Sequence, residues 1–180
     1  MNNLITLPNA INKQRNVLPK TGQTVSYQAA YDGDCEAGWW RKRLNVNNKT
    51  RFVAKTIGGV NVICDYATRL MWCKDPEAGT YTWTLALSEV AVINAAARAG
   101  FSDWKLPNVL EMESIVDFEK LPPPNAIYLI FAYAGTAYFW TSTTLSTLLT
   151  IAWRFYSASG ALSSTAKTTN TLSMWVCRDF

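Results

Sequence analysis

Three consecutive prolines at positions 122–124 divide the 180-residue chain into two parts of different character. Proline lacks a backbone donor and clashes with the preceding helical turn, so any helix has to end before this run. The segment that follows, residues 125–173, is rich in Thr, Ser, Tyr and Phe, which favour strands and irregular loops. The C-terminal part of the chain is therefore expected to consist of strands and loops.

Two helices are predicted before the prolines. The first begins at Thr82 or Thr84, carries apolar residues at helical spacing and ends at Gly100. The second begins at Asn108, which forms a capping-box pattern with Glu111 three residues later. Both helices have an apolar face for a shared core.

Short strands precede the helices. Val60, Val62 and Cys64 alternate with other residues as one face of a strand, and residues 65–69 form the turn of a hairpin that continues through residues 70–72. Strands, then two helices, then a long β and loop region define an α+β domain.

Composition limits the classes of function. With 49% hydrophobic residues, residues 20–180 suffice for one domain, whereas the polar, Asn-rich residues 1–19 suggest an arm or linker. The chain has no histidine and no phosphate-binding glycine loop, so we expect no His-based catalysis, no metal site and no cofactor. A net charge of +4 without a long basic run does not indicate nucleic acid.

Cysteine spacing and hydropathy add little that is specific. Cys35, Cys64, Cys73 and Cys177 contain no C-x-x-C motif, and both disulfide pairing and buried free thiols are compatible with their spacing. The apolar run at residues 126–134 is too short for a membrane span, and no signal peptide is visible at the N-terminus. We therefore expect no membrane insertion.

Several motifs resemble the Lcl C-terminal domain family. The matching segments are PKTGQT at residues 19–24, DGD at 32–34, AG at 37–38, LMW at 70–72, KD at 74–75, TW at 82–83, GFSDWKLPN at 100–108, WTSTT at 140–144, AW at 152–153 and WVCR at 175–178. The resemblance implies a fold related to C-type lectins and to the formylglycine-generating enzyme. Arg69 stands where the family usually has Gly, so the turn is expected to differ if that position needs a positive φ.

Members of this family also serve as variable proteins of diversity-generating retroelements, in which mutagenesis rewrites the first two bases of AAY codons. Such changes never produce Glu, Gln, Lys, Met or Trp. Those five types supply 25 of residues 1–126, but in residues 127–173 they supply only Trp140, Trp153 and Lys167. The resemblance therefore implies a variable region at about residues 127–173.

On this hypothesis the variable side chains converge on one exposed face and bind a host surface protein or glycan, with the protein displayed on a virion or cell surface. Rigid aromatics and small hydroxyls would supply the contacts, as in antibody paratopes. Trp104, Trp140, Trp153 and Trp175 are predicted to lie in the core. The predicted ligand-binding residues are Tyr128, Leu129, Phe131, Tyr133, Leu145, Thr147, Leu148, Arg154, Tyr156, Ser157, Ser159, Thr168, Thr169, Thr171 and Leu172.

Three alternatives are open at this stage. The first is that the region belongs to an adhesin-like or glycan-binding lectin domain that does not vary. The second is that the chain is an oxidase of the formylglycine-generating type, which would need Cys64 and Cys73 as its reactive pair. The third alternative is a calcium-dependent lectin that uses Asp32, Asp34 and Glu36 as oxygen ligands.

Overall fold

A computed structural model of the chain describes residues 21, 23, 25, 44–46, 49–120, 131, 133, 135–168 and 172–180. Within them lie two α-helices and three antiparallel sheets, in the strand orders β1-β2, β3-β4-β5-β9 and β6-β7-β8, so the predicted α+β class is confirmed. The elements are β1 (Leu44–Val46), β2 (Lys49–Thr50), β3 (Phe52–Ile57), β4 (Val60–Asp65), β5 (Leu70–Cys73), α1 (Trp83–Ala95), α2 (Val109–Glu113), β6 (Tyr138–Thr144), β7 (Ile151–Tyr156), β8 (Ala161–Ala166) and β9 (Cys177–Asp179). The predicted arm at residues 1–19 lies outside the described residues.

The four-stranded sheet is buried on both faces at its centre. All four residues of β5 and the last four of β4 are buried, which agrees with their continuous apolar runs. One polar exception, Asp65, pairs with the buried Arg51 through two hydrogen bonds, Nε to Oδ1 at 2.9 Å and Nη2 to Oδ2 at 2.8 Å. The same guanidinium donates to the carbonyl of Ser114 at 2.7 Å, which links the sheet to the end of α2.

The predicted hairpin between β4 and β5 is confirmed, with Asp65 organising its turn. The Asp65 carboxylate accepts hydrogen bonds from the Ala67 amide and the Thr68 hydroxyl, at 2.9 and 2.8 Å. Arg69 completes the turn with a φ of 62°. The turn therefore keeps the positive φ at this position, although the residue is Arg and not Gly. Arg69 is strained in this backbone conformation.

Helix α1 begins as predicted and ends earlier than predicted. Thr82 is the N-cap, and its hydroxyl accepts from the Leu85 amide at 3.3 Å. The helix ends at Ala95 because the next turn is broken by Ala97, which has a φ of 47°. Gly100, the predicted stop, instead closes a short 3-10 turn.

The segment GFSDWKLPN, residues 100–108, is a structural connector. Its Trp104 is buried and donates its indole N–H to the Arg98 carbonyl at 2.9 Å, while Asn94 of α1 pairs with its backbone. Asn108 forms the predicted capping box with Glu111 at the start of α2. The motif thus fixes α1 and α2 relative to each other and to β9.

Residues 172–177 join the two larger sheets. The Trp140 amide of β6 donates to Ser173, and the Cys73 amide of β5 donates to Val176. Between these contacts lies the fully buried Trp175, whose indole N–H donates to the Cys73 carbonyl at 2.7 Å. The rings of Trp72, Phe131, Tyr133 and Phe139 surround it at centroid distances of 5.3–6.5 Å.

Candidate functional site

The three-stranded sheet β6-β7-β8 and its connections carry most of the predicted contact residues. The described ones are Leu145, Thr147, Leu148, Arg154, Tyr156, Ser157, Ser159 and Thr168. Tyr128, Leu129, Thr169 and Thr171 lie outside the described residues. The sheet is therefore the candidate binding site.

Three predicted contact residues are buried, so the prediction of their exposure is wrong. The Phe131 ring packs edge-on against Trp72 and Trp175. Leu172 lies inside the connecting segment, where its carbonyl accepts from the Tyr81 amide at 2.9 Å. Ser157 is buried because its hydroxyl bonds to the backbone of the segment that precedes β6.

The Ser157 hydroxyl has two backbone partners. It accepts from the Ala137 amide at 3.0 Å and lies 3.3 Å from the Gly135 carbonyl. Tyr133 is half-buried, with its ring against Phe139 and Trp175, and this burial raises the pKa of its phenol. These residues support the sheet from the core side.

The loop between β6 and β7 presents exposed apolar side chains. Leu148 is 49% exposed and its neighbour Leu149 is 74% exposed, whereas Leu145 is half-buried. The loop has a defined backbone, since the Leu148 amide donates to Leu145 at 3.1 Å and the Lys167 amide donates to Thr150 at 2.9 Å. Exposed leucines on an ordered loop are typical of a surface that meets a partner.

Towards the opposite end of the β6–β7 hairpin, three side chains form a stack on one face of the sheet, which we call the Arg154 stack: Arg154, Tyr138 and Tyr156. Tyr138 and Tyr156 are cross-strand partners whose ring centroids lie 4.4 Å apart with an interplanar angle of 22°. The Arg154 guanidinium carbon lies 3.9 Å from the Tyr138 ring centroid. Its Nε donates to the Ser163 hydroxyl of β8 at 3.0 Å.

Sequence reasoning missed Tyr138 and Ser163. Each lies across a strand pair from a predicted residue, Tyr138 from Tyr156 and Ser163 from Arg154. Directly opposite residues share a face of the sheet. Strand alternation alone does not give the register between strands, so the pairing that reveals them comes only from the fold.

Trp140, Trp153 and Lys167 are the residues within 127–173 whose types cannot arise by mutation of the first two bases of AAY codons. Two of them contact residues near the start of α1. Trp140 is fully buried and donates its indole N–H to the Tyr81 carbonyl at 2.8 Å. The Lys167 ammonium lies 4.0 Å from the centroid of the Trp83 ring at the start of α1. Trp153 is only half-buried, so its assignment to the core is wrong; its cross-strand partner on β8, Ser164, is exposed.

The three described cysteines are buried in the fold. Cys64, Cys73 and Cys177 are buried free thiols, and burial is the largest cause that raises the pKa of each. Cys64 pairs with Met71 and Cys73 with Val62, so the two thiols are not directly opposed. A raised pKa keeps a thiol protonated and poorly nucleophilic.

Neither a metal cluster nor a membrane helix is found in the described part of the chain. Those residues contain no group of three or more His, Cys, Asp or Glu side chains placed to hold a metal ion. Asp32, Asp34, Glu36 and Cys35 lie outside them. No described helix has the length and apolar character needed to cross a membrane.

The profile of the Lcl C-terminal domain family matches residues 61–178. The chain belongs to this family. The match includes the connector at residues 100–108, the three-stranded sheet and the buried segment at residues 172–177, whereas the resembling motifs at residues 19–38 lie outside it. No curated protein matches the chain. Membership in the Lcl C-terminal domain family indicates a binding-type protein.

Proposed function

We propose that this member of the Lcl C-terminal domain family is the variable, ligand-binding protein of a diversity-generating retroelement. Its scaffold is of the C-type-lectin type, and its contact surface is the sheet β6-β7-β8 with its connecting loops. The ligand is a protein or glycan on a host surface, and the protein acts from a virion or cell surface. Binding, without catalysis, is its activity.

One observation carries the proposal. Side chains of the three-stranded sheet and its connections that reach the surface are of types that mutation of AAY codons can produce. The side chains of Thr147, Leu148 and Thr168 are exposed, and those of Arg154 and Tyr156 are half-buried on one sheet face. All five types are reachable from AAY codons. An ordinary β-region is only mildly depleted in Glu and Lys, whereas a codon restriction excludes Glu, Gln and Lys directly.

Two of the three unreachable residues in this region support the same reading. Trp140 hydrogen-bonds to Tyr81 and Lys167 packs on Trp83, so both anchor the sheet against the segment that begins α1. Anchoring positions have to stay constant if the surrounding positions change. In a template in which only selected codons carry adenines, the codons of anchoring residues such as Trp140 and Lys167 would not be mutated. The observed composition fits such a template.

The opposing enzymatic reading has little physical support. An oxidase of the formylglycine-generating type needs an accessible, reactive thiol pair, and burial keeps Cys64 and Cys73 protonated. Incubation of the protein with a cysteine-containing acceptor peptide is expected to give no formylglycine product. Turnover of that peptide would overturn the binding-only assignment.

The direct test is the DNA that flanks the coding region. We expect a near-copy of the segment encoding residues 127–173, with AAC or AAT at the codons of exposed positions such as Arg154 and Tyr156, beside a reverse transcriptase gene. The codons for Trp140, Trp153 and Lys167 should be identical in both copies. A locus with neither a second copy nor a reverse transcriptase would contradict the proposal and leave a non-variable adhesin-like domain.

A further inference from the structure

The charged side chains of residues 121–177 are all positive. From residue 121 to residue 177 the sequence contains no Asp or Glu, and its only cations are Arg154 and Lys167. Both cations rest on aromatic rings, Arg154 on Tyr138 and Lys167 on Trp83. No described carboxylate pairs with Arg154, which distinguishes it from Arg51, Arg98 and Arg178, all of which pair with acidic side chains.

The Arg154 guanidinium is held in a defined orientation. One face packs on the Tyr138 ring, which is itself stacked on Tyr156, and Nε is used by the Ser163 hydroxyl. These contacts leave the two terminal nitrogens without a partner among the described residues. A planar guanidinium of fixed orientation binds a carboxylate through two parallel hydrogen bonds, and its stacking reduces the entropy lost on binding.

From this geometry we infer that the surface around the Arg154 stack binds an acidic protein surface, with a partner Asp or Glu carboxylate seated on Arg154. The inference rests on the proposed function only in taking this sheet as the binding surface. It names the class of partner for this particular sequence, since Arg154 is itself a codon-reachable residue.

The surroundings favour a protein over a glycan as the source of the carboxylate. Tyr138, Tyr156 and Arg154 lie on the same sheet as a loop that exposes Leu148 and Leu149. Aromatic residues and Arg are enriched at protein interfaces, where exposed leucines can be buried against a complementary apolar surface. Lack of acidic residues over residues 121–177 means that an acidic partner meets no repulsion from that segment.

The test uses the full chain, immobilised, and a phage-displayed library of random 12-residue peptides as the probe. Enriched peptides are expected to contain at least about twice the Asp and Glu content of the unselected library. Their affinity should fall by about tenfold or more on Arg154→Gln, because truncating one partner of a buried charge pair is costly. Arg154→Lys should give an intermediate loss, since Lys keeps the charge without the planar fork.

Lys55→Gln is the matched control. It removes one positive charge from an exposed position of β3 in the four-stranded sheet and leaves the Arg154 stack untouched, so it should change affinity by less than about twofold at physiological salt. Circular dichroism and thermal unfolding of each variant establish that folding is retained.

Four outcomes would overturn the inference: no enrichment of peptides, enrichment of neutral peptides, equal losses for the two glutamine variants, or Arg154-dependent binding confined to sialylated glycans on an array. None of these results bears on the template copy beside the gene, so the inference and the proposed function fail separately.

Discussion

The two larger sheets of this domain bury their side chains very differently. In the four-stranded sheet every residue of β5 is buried, and β4 is buried from Val62 to Asp65. The outer strand β3 of that sheet buries no residue. In the three-stranded sheet β6 buries Phe139, Trp140 and Thr141, β7 buries Ala152 and Phe155, and β8 buries none. A closely packed interior tolerates few changes of volume, whereas a half-covered sheet tolerates many. On the proposed function, we expect the four-stranded sheet to be the constant sheet and the three-stranded sheet to be the changeable one.

The largest expected effect is at the junction of the two sheets. Trp175→Ala should lower the free energy of unfolding by about 3–5 kcal/mol, because it removes a fully buried ring, its hydrogen bond to Cys73 and the packing of four neighbouring rings. Trp153→Ala, on the central strand of the three-stranded sheet, should cost only about 1–2 kcal/mol, because that side chain is half-buried. Urea unfolding measures both values, and equal losses would remove the distinction between the sheets.

The four-stranded sheet also contains buried groups that titrate. These are the thiols of Cys64, Cys73 and Cys177. Burial raises the pKa of each above its ordinary value of 9.0, and for Cys177 the Glu111 carboxylate adds to the effect. The folded state then keeps protons that the unfolded state releases. Their contribution to stability is complete below pH 9.0 and declines as pH rises above it.

For Cys177 that decline should amount to about 1.4 kcal/mol per pH unit. Urea unfolding between pH 8 and pH 10.5 should therefore give a shallower loss of stability in Cys177→Ala than in the wild type. Comparing how the free energy of unfolding changes with pH in the two proteins cancels the pH-independent cost of the substitution. It also cancels the titration of the other groups, which both proteins share. Parallel slopes in the two proteins would show that burial of Cys177 does not bias its protonation.

A smaller effect is expected in the turn between β4 and β5. Arg69 has a φ of 62°, which glycine adopts without steric cost. Arg69→Gly should raise the free energy of unfolding by about 0.5–1 kcal/mol, after the greater entropy of glycine in the unfolded state is subtracted. Arg69→Ala is the matched control and should give no comparable gain, because Ala keeps the strain. A lower thermal midpoint for Arg69→Gly would contradict this explanation.

Local features of the fold could be predicted from the sequence. The capping box of Asn108 and Glu111, the N-cap at Thr82 and the turn after Asp65 each depend on residues a few positions apart. The end of α1 was missed because Ala97 carries no sign in the sequence of its positive φ. Alanine usually continues a helix.

The sequence does not decide which residues of the candidate site are exposed. Phe131 and Leu172 satisfy the codon restriction, yet both are buried by partners distant in sequence, Phe131 by Trp72 and Leu172 beside Tyr81. Tyr138 was overlooked because its place in the Arg154 stack depends on strand register. Composition suggests which region changes, as a hypothesis, whereas burial decides which side chains in that region reach the surface.

The central claim is that the two sheets differ in tolerance to substitution, and parallel randomisation tests it most directly. One library places NNY codons at Tyr138, Thr147, Leu148, Arg154, Tyr156 and Thr168, in the three-stranded sheet and its connections; a matched library places them at Val62, Ile63, Cys64, Leu70, Met71 and Trp72, in the four-stranded sheet. Both are displayed on yeast and scored for resistance to protease. We predict that most members of the first library stay resistant, since exposed substitutions usually cost within about 0.5 kcal/mol each, and that few of the second do. Similar resistant fractions in both libraries would contradict the account.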